Sequence, residues 1–360
     1  MAGRTKRTAA RVAAAALAVV AVGGGVWYAG FHDDWREGRT LAEECDGLLP
    51  REELEPLLGA SPLVAEEWSP REWGSGGPLG SCKVRAADEE VLAHLRVFVG
   101  WTGGARGLLT DLERHQPEHA GVVTTPVGSG WQGVLNAGAG VPGAQVVLDC
   151  GKEGDGAGRS LVVGVSAYPR PSEDLRGDED RRAGLARLTA RTAANAAEKW
   201  GCETKTGRDV EKVPAAPQGP APAGRATGTC AGIDAPSIDV PADPDAPVED
   251  CLLQDGENTE KSRFRLAAYY GPYAEDARDT TLRGDLYTAP AGGGDGTWWT
   301  TAACPQGRGT ALFVVETIYG HEGFAEPAPA LERKALERFA SASAQRHGCD
   351  APAAVTSGKD

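Results

Sequence analysis

The sequence predicts an α+β protein in which an N-terminal transmembrane helix precedes two tandem disulfide-stabilised domains. Each domain is expected to be an antiparallel sheet of two hairpins packed on a C-terminal helix. Three observations support this prediction: an uncharged apolar stretch near the N-terminus, eight cysteines that all follow it, and matching sequence around two sets of four cysteines. The length of 360 residues also suits two domains, because single cores become uncommon as chains approach about 300 residues.

Residues 12–31 form the uncharged stretch, which is long enough as a helix to cross a hydrocarbon core of about 30 Å. Basic residues precede it, and Trp27 and Tyr28 stand where interfacial aromatic residues are expected. The pattern predicts a cytoplasmic basic tail at residues 1–11, a signal anchor that crosses the cell membrane once, and an extracellular bulk of the chain. A cleaved secretory signal is the alternative, and it also places the rest of the chain outside the cytoplasm.

The eight cysteines predict disulfides, because their number is even and the chain is expected to be exported. No Cys-x-x-Cys spacing is present, which argues against a metal knuckle or a thioredoxin-type site. Four cysteines in a domain allow three pairings, and the sequence alone does not separate them. We favour sequential pairing, because a closing helix packed on the second hairpin brings its end near the cysteine of that hairpin. The favoured pairs are Cys45–Cys82, Cys150–Cys202, Cys230–Cys251 and Cys304–Cys349.

Matching sequence contexts indicate that the chain is duplicated. Cys150 and Cys304 each end an apolar run, precede a Gly-containing turn and are followed by a second apolar run. Cys202 and Cys349 each follow a helical pattern that ends in glycine, a residue suited to the left-handed position after a helix. Two unrelated disulfide domains are the alternative. The predicted boundaries are a first repeat at residues 41–202, a Pro/Ala/Gly linker at 203–228, a second repeat at 229–349 and a disordered tail at 350–360.

Within each repeat we expect an opening segment, a hairpin, a variable segment, a second hairpin and a closing helix. Cys82 and Cys251 begin the strand-turn-strand patterns of the first hairpins. In the closing helices, Leu185 and Leu188 share one face in the first repeat, and Phe339 lies on the equivalent apolar face in the second. Each apolar face is expected to cover a sheet.

The opening of the first repeat, CDGLLPREEL at residues 45–54 with LLG at residues 57–59 and then Cys82, resembles a family of actinobacterial exported domains, many of them lipoproteins. The resemblance covers mainly residues 43–82. The chain departs from the family at Pro50, where the family has threonine, at Lys83, where an aromatic residue is common, and in lacking a lipid-attachment cysteine. Because that family has no established activity, the resemblance implies a fold and an exported setting and transfers no catalytic residue.

Charge and histidine placement exclude several function classes. The chain has 37 Lys and Arg against 51 Asp and Glu, a net charge of −14 that disfavours nucleic acid as a partner. His115 and His119 have metal-ligand spacing, but Pro117 disrupts the helical face they would share, so we predict no metal and no cofactor. The acids at 243, 245, 249 and 250 are interpreted as solvated loop charges, with weak calcium binding as the alternative. No catalytic residue is identified.

Four tryptophans are candidates for a ligand or partner surface. Trp68 and Trp73 lie in a segment with loop composition, where aromatic rings can present a flat apolar surface to a sugar or a protein. Trp298 and Trp299 are adjacent on a predicted strand and must point to opposite faces, so one is expected in the core and the other on the surface.

Duplication without a recognisable catalytic constellation favours a non-catalytic binding or scaffolding module of the cell envelope. The expected partners are the membrane, through the N-terminal helix, and an envelope protein or cell-wall polymer. One alternative is a cell-wall-active hydrolase whose carboxylates the sequence spacing does not identify. The other alternative is a small-ligand sensor that signals through a partner protein.

Overall fold

Two antiparallel sheets pack face to face, and a long helix covers the outer face of each. The computed structural model describes residues 36–69, 78–88, 93–104, 107–112, 122–136, 141–151, 160–168, 178–215, 217, 219–254, 262–280, 287–294, 296–305, 308–320, 323–324 and 326–355. Within these ranges the layers follow the order helix, sheet, sheet, helix.

The first sheet has seven strands in the order β1-β2-β3-β7-β6-β5-β4, and every neighbouring pair is antiparallel. Its strands are β1 (Leu63–Glu67), β2 (Gly80–Ala86), β3 (His94–Trp101), β4 (Thr124–Gly128), β5 (Trp131–Asn136), β6 (Gly143–Asp149) and β7 (Ser160–Tyr168). The helical segments of this half are α1 (residues 36–44), α2 (Arg51–Leu58), a short 3₁₀ turn (Thr102–Gly104), α3 (Leu108–Asp111) and α4 (Glu179–Lys199).

The second sheet has six strands in the order β11-β12-β13-β10-β9-β8, again antiparallel throughout. Its strands are β8 (Ser237–Asp239), β9 (Val248–Gln254), β10 (Ser262–Tyr269), β11 (Ala291–Gly294), β12 (Thr297–Ala303) and β13 (Thr310–Thr317). A separate two-stranded ribbon, β14 (Tyr319–Gly320) with β15 (Gly323–Phe324), follows. The helices of this half are α5 (Pro272–Thr280) and α6 (Pro329–Arg346).

The two sheets share one connectivity. In both, the first three strands along the chain are neighbours, the last strand pairs with the third, and the preceding strands continue outward from it. In both, a helix follows the third strand and a long helix follows the last one. A duplication of the chain would produce this shared connectivity, with β4 as the additional strand of the first half.

The long helices begin and end for local reasons. The Asp178 side chain accepts a hydrogen bond from the Arg181 backbone N–H at 3.0 Å and so caps the start of α4. Pro329 occupies the first turn of α6, where the N–H that proline lacks is not needed. Gly201 and Gly348 follow the two helices with φ of 64° and 69°, the left-handed conformation predicted for them. Each glycine turns the chain toward the disulfide that comes next.

Both faces of the central strands are buried because successive side chains point to opposite layers. In β10, Leu266 and Ala268 pack under α6, whereas Ala267 and Tyr269 face the other sheet. Trp299 joins that same inter-sheet core. Burial on both sides explains why these strands are continuous apolar runs without a polar alternation.

The fold class predicted from the sequence is wrong in two respects. Each half contributes six or seven strands, not two hairpins, and the halves are joined by a shared inter-sheet core. The hairpin patterns missed strands that pair with their neighbours along the chain: β1, β4, β5, β8 and β11. The long-range pairs β3–β7 and β10–β13 lie at the centres of the sheets. The predicted transmembrane helix at residues 12–31, with the basic tail before it, lies outside the described residues. Among the helices that are described, none is long and apolar enough to cross a membrane.

Two segments predicted to lack structure are partly packed. In the predicted linker, Val210 is buried and the Arg208 carbonyl accepts a hydrogen bond from Trp131 Nε1 at 2.8 Å. In the predicted tail, residues 350–355 run along β12, where the Ala353 N–H donates to the Thr301 carbonyl at 2.9 Å. These contacts attach both segments to the sheets. Residues 356–360 lie outside the described residues.

All eight cysteines form disulfides, and the pairing is the sequential one that was predicted. The bonds are Cys45–Cys82, Cys150–Cys202, Cys230–Cys251 and Cys304–Cys349. Two of them tie the ends of α4 and α6 to the sheets, as expected from the closing helices. Four disulfides indicate an extracellular or exported protein, because thiols stay reduced in the cytosol.

Candidate functional site

Buried carboxylates hold the two halves together. Asp276 on α5 is 3% exposed and accepts hydrogen bonds from the backbone N–H groups of Gly107, at 2.7 Å, and Leu109, at 2.9 Å. Asp250 on β9 is fully buried and accepts from the backbone N–H and the hydroxyl of Thr124, both at 2.8 Å. Polar groups of each half are therefore satisfied by the other half, so the halves form one body.

Polar side chains of neighbouring strands in the first sheet lie together on one side of that sheet, in a region that we call the basic face. In β1, β2 and β3 the apolar side chains point toward α2 and α4, and the polar ones point to the opposite side. Glu66, Lys83 and Arg96 lie side by side on adjacent strands. The inter-sheet core begins only at Phe98, so this corner of the sheet is half-exposed. The basic face consists of Glu66, Trp68, Lys83, Arg85, His94, Arg96 and Tyr168.

Arg96 is the centre of the basic face. Its Nη1 donates to the Tyr168 hydroxyl at 2.8 Å, and its guanidinium carbon lies 4.4 Å from the centroid of that ring and 5.5 Å from the Trp68 ring. The Tyr168 ring in turn stacks on His94 with centroids 4.3 Å apart. Within the described part of the chain, no carboxylate forms an ion pair with Arg96. The guanidinium is therefore oriented by aromatic rings, not neutralised by an acid.

Among the described residues of the basic face, positive charge is in excess. Lys83 Nζ lies 2.7 Å from Glu66 Oε1, and Arg85 Nε lies 3.3 Å from Glu66 Oε2. The hydrogen bond from Lys83 lowers the pKa of Glu66 more than partial burial raises it, and Arg85 adds to the lowering. The described residues of the face thus include one carboxylate, paired with two of the three Lys and Arg side chains, in a chain whose net charge is −14.

The four candidate tryptophans lie in different environments. Trp68 is half-buried on the basic face, and its ring also packs against the inter-sheet core. Trp73 lies outside the described residues. Trp298 and Trp299 do point to opposite faces, but they are only 6% and 8% exposed, one under α6 and the other between the sheets. The expected surface contact at this pair is wrong because α6 covers one face of β12 and the first sheet covers the other.

The charged residues of the basic face were not among the candidates predicted from the sequence. Lys83 and Arg85, and likewise His94 and Arg96, alternate along strands that were predicted, so their common side could have been recognised. Which strands lie next to each other is a property of the whole sheet. That information was needed to bring Tyr168, some 70 residues away, against Arg96.

A buried polar network lies in the second half, around Glu249 on β9. Glu249 is 2% exposed, and it accepts from Ser343 Oγ at 2.6 Å, from Arg346 Nη1 at 2.6 Å and from His347 Nε2 at 3.1 Å. The hydroxyl groups of Tyr270 and Ser343 are 2.6 Å apart. Since the Ser343 proton is donated to Glu249, Tyr270 is the donor in that pair. Glu249 and Asp250 are therefore buried strand residues, and the interpretation of them as solvated loop charges is wrong.

The network assigns the tautomer of His347. Arg308 Nη1 lies 3.2 Å from His347 Nδ1, and a guanidinium can only donate, so Nδ1 accepts and Nε2 carries the proton given to Glu249. Burial raises the pKa of Glu249, but the hydrogen bond from His347 and the charge of Arg346 outweigh it, and the net shift is downward. Burial raises the pKa of Tyr270 well above its ordinary value, and the charge of Glu249 adds to that rise.

The network does not have the arrangement of a serine nucleophile. Ser343 is 1% exposed, and its proton is held by Glu249, so no histidine nitrogen is positioned to accept it. His347 lies on the other side of the carboxylate and is also buried. These groups instead hold α6 against β9. Across the described ranges, no group of three His, Cys, Asp or Glu residues could hold a metal ion; His115 and His119 lie outside those ranges.

Tyr270 and Arg308 also border a cleft between the two halves, with about 260 Å³ of open space. The first half contributes Gln132 and Val147 to its lining. The second half contributes Asp245, Ala246, Pro247, Tyr270, Gly271, Pro272 and Arg308. The cleft therefore has charged residues, of which Arg308 contacts the buried network, beside apolar ones.

The sequence matches no family model and no curated protein. The crystal structure of DynU16, a protein of the dynemicin biosynthetic locus, aligns with 86% of this chain and 93% of its own at 13% identity, with a TM-score of 0.13. A score that low carries no argument about fold or function. The resemblance to actinobacterial exported domains stays a prediction.

Proposed function

We propose that this chain is an exported, non-catalytic binding protein of the cell envelope that holds an anionic sugar polymer on its basic face. The observation that carries the proposal is Arg96, a half-buried guanidinium placed beside two aromatic rings and left without a carboxylate partner among the described residues. A guanidinium held in this way is preorganised to bind a carboxylate or phosphate.

The distribution of charge favours the basic face as the binding site of an anionic ligand. The chain as a whole is strongly negative, so an anionic polymer is repelled by most of its surface and attracted only where cations are in excess. Lys83 and Arg85 flank Arg96 on the next strand and extend the positive region. Nucleic acid fits poorly, because its affinity depends on many Lys and Arg contacts along a track of phosphates.

The aromatic rings on the basic face favour a ligand that is built of sugar units. Trp68 and Tyr168 supply apolar ring surfaces next to polar, charged groups, a combination suited to sugar rings that have apolar faces and polar edges. The four strands β1, β2, β3 and β7 span roughly 14 Å at the usual strand spacing, so the face accommodates a short stretch of polymer.

The hydrogen bonding and burial of the acidic and nucleophilic side chains favour binding without catalysis. Ser343, Glu249 and His347 hydrogen-bond to one another in a buried network and do not border the basic face. Glu66, the carboxylate of the face, is held by two cations. A hydrolase of sugar polymers needs a pair of carboxylates across the scissile bond.

The test is binding of the oxidised protein to short oligogalacturonate, with a neutral cello-oligosaccharide as the uncharged probe. The double variant K83A/R85A should weaken oligogalacturonate binding by about thirtyfold at low salt, since each of the two lost cations near an anionic surface costs about 1 kcal/mol. The matched control K334A/R338A removes the same charge from exposed positions on α6 and should bind like the original protein. Equal weakening in both double variants would contradict the assignment of the face.

A further inference from the structure

We propose that the cleft between the two halves binds a free α-amino acid, with Arg308 holding the carboxylate and Asp245 holding the ammonium group. This site is separate from the basic face and involves none of its residues. Both charged residues border the cleft, and each belongs to the second half of the chain. Gln132 and Val147 close it from the first half, so a bound ligand touches both halves.

Arg308 has donors available for a carboxylate. Its Nη1 is used by His347 Nδ1 at 3.2 Å and the Pro244 carbonyl at 3.4 Å. Within the described residues, Nη2 and Nε of Arg308 make no hydrogen bond and no acid pairs with it. The Nε–Nη2 edge of a guanidinium matches the two oxygens of a carboxylate. A side-on carboxylate therefore completes the hydrogen bonding of this side chain.

Arg308 is also held in position before any ligand arrives. His347, which accepts from it, is fixed by Glu249 at 3.1 Å and stacks on Tyr270 with ring centroids 3.8 Å apart. Glu249 is fixed in turn by Ser343 and Arg346. The buried network thus supports the charged wall of the cleft, which reduces the entropy lost on binding.

The other walls favour a zwitterion that carries an apolar side chain. Asp245 is a half-buried carboxylate beside the cleft, so it disfavours a dianion and favours a ligand that carries a positive group. Val147, Pro247 and Pro272 provide an apolar surface for a short side chain.

Saturation-transfer NMR on the full oxidised protein tests this proposal with three probes: alanine, N-acetylalanine, which lacks the ammonium group, and ethylamine, which lacks the carboxylate. Alanine should receive the strongest transfer. R308K keeps a cation but loses the two-donor edge, and should weaken alanine binding by about tenfold. D245N should bring alanine and N-acetylalanine to similar affinity.

Two controls keep the outcomes separate. K83A/R85A alters only the basic face and should leave alanine binding unchanged, so failure of either site can be recognised independently. Thermal unfolding of R308K and D245N shows whether each variant is folded. Absence of transfer to alanine in the folded original protein, or equal binding of N-acetylalanine to it, overturns the proposal.

Discussion

Asp276 offers a direct perturbation of the contact between the two halves. Its carboxylate is 3% exposed and is the acceptor for two backbone N–H groups of the other half, those of Gly107 and Leu109. Asp276→Ala leaves both N–H groups buried without that acceptor, at about 1–3 kcal/mol each. We therefore expect the free energy of unfolding to fall by about 2–6 kcal/mol. Asp276→Asn keeps one acceptor oxygen and should lose about half as much.

The loss is measurable by urea unfolding followed by tryptophan fluorescence, because total stabilities of domains are only about 5–15 kcal/mol. Asp279 lies on the same helix and is exposed, so Asp279→Ala is the matched control and should change stability by less than about 0.5 kcal/mol. A loss below about 1 kcal/mol for Asp276→Ala, equal to the control, would refute the reasoning that this carboxylate joins the halves.

Three further predictions concern the buried network, the sheet and a disulfide. Since the folded-state pKa of Glu249 lies below its ordinary value of 4.5, its ionised form stabilises the fold above that pH, and the contribution disappears as pH falls through the lowered pKa. Glu249→Gln should lower the free energy of unfolding at neutral pH by about 3 kcal/mol and make stability less dependent on pH in acid. Urea unfolding midpoints that fall as steeply below pH 4.5 in the variant as in the original protein would contradict this. Gly164→Ala places a Cβ against the Phe98 ring, closer than van der Waals contact allows, and should cost about 1–3 kcal/mol by thermal unfolding. Gly38→Ala, which meets nothing within 4 Å, should be neutral or slightly stabilising. Replacing Cys304 and Cys349 with serine opens a loop of sequence separation 45 and should lower stability by about 4 kcal/mol in denaturant titrations; a change under about 1 kcal/mol would show that the bond contributes little.

Local patterns in the sequence predicted the parts of the fold that depend on neighbouring residues. The apolar run before Cys150 and the helix that ends just before Cys202 favoured the pairing of these two cysteines, although the sequence alone left three pairings open. A closing helix packed on the second hairpin was expected to bring its end near the cysteine of that hairpin. The disulfide at the end of the second half agrees with the same expectation.

Properties that depend on distant residues were not predictable in this way. Asp250 looks like a loop charge next to other acids, yet it is buried because Thr124, more than a hundred residues away, supplies two donors to it. One residue of the Trp298–Trp299 pair was expected at the surface, but α6 and the first sheet cover the two faces of their strand. Arg96 becomes a candidate binding group only when Tyr168 is placed beside it. Each of these needs the packing of the sheets, which no local pattern encodes.

The most direct test of the proposed function is a binding map by NMR of the isotopically labelled protein during titration with short oligogalacturonate. We predict that the largest changes in amide chemical shift fall on residues 81–85 of β2 and 94–98 of β3, with none of similar size on α6. The changes should vanish at high salt, because the binding is electrostatic. Changes concentrated on α6 or spread evenly over both sheets would contradict the proposal that the basic face is the binding site.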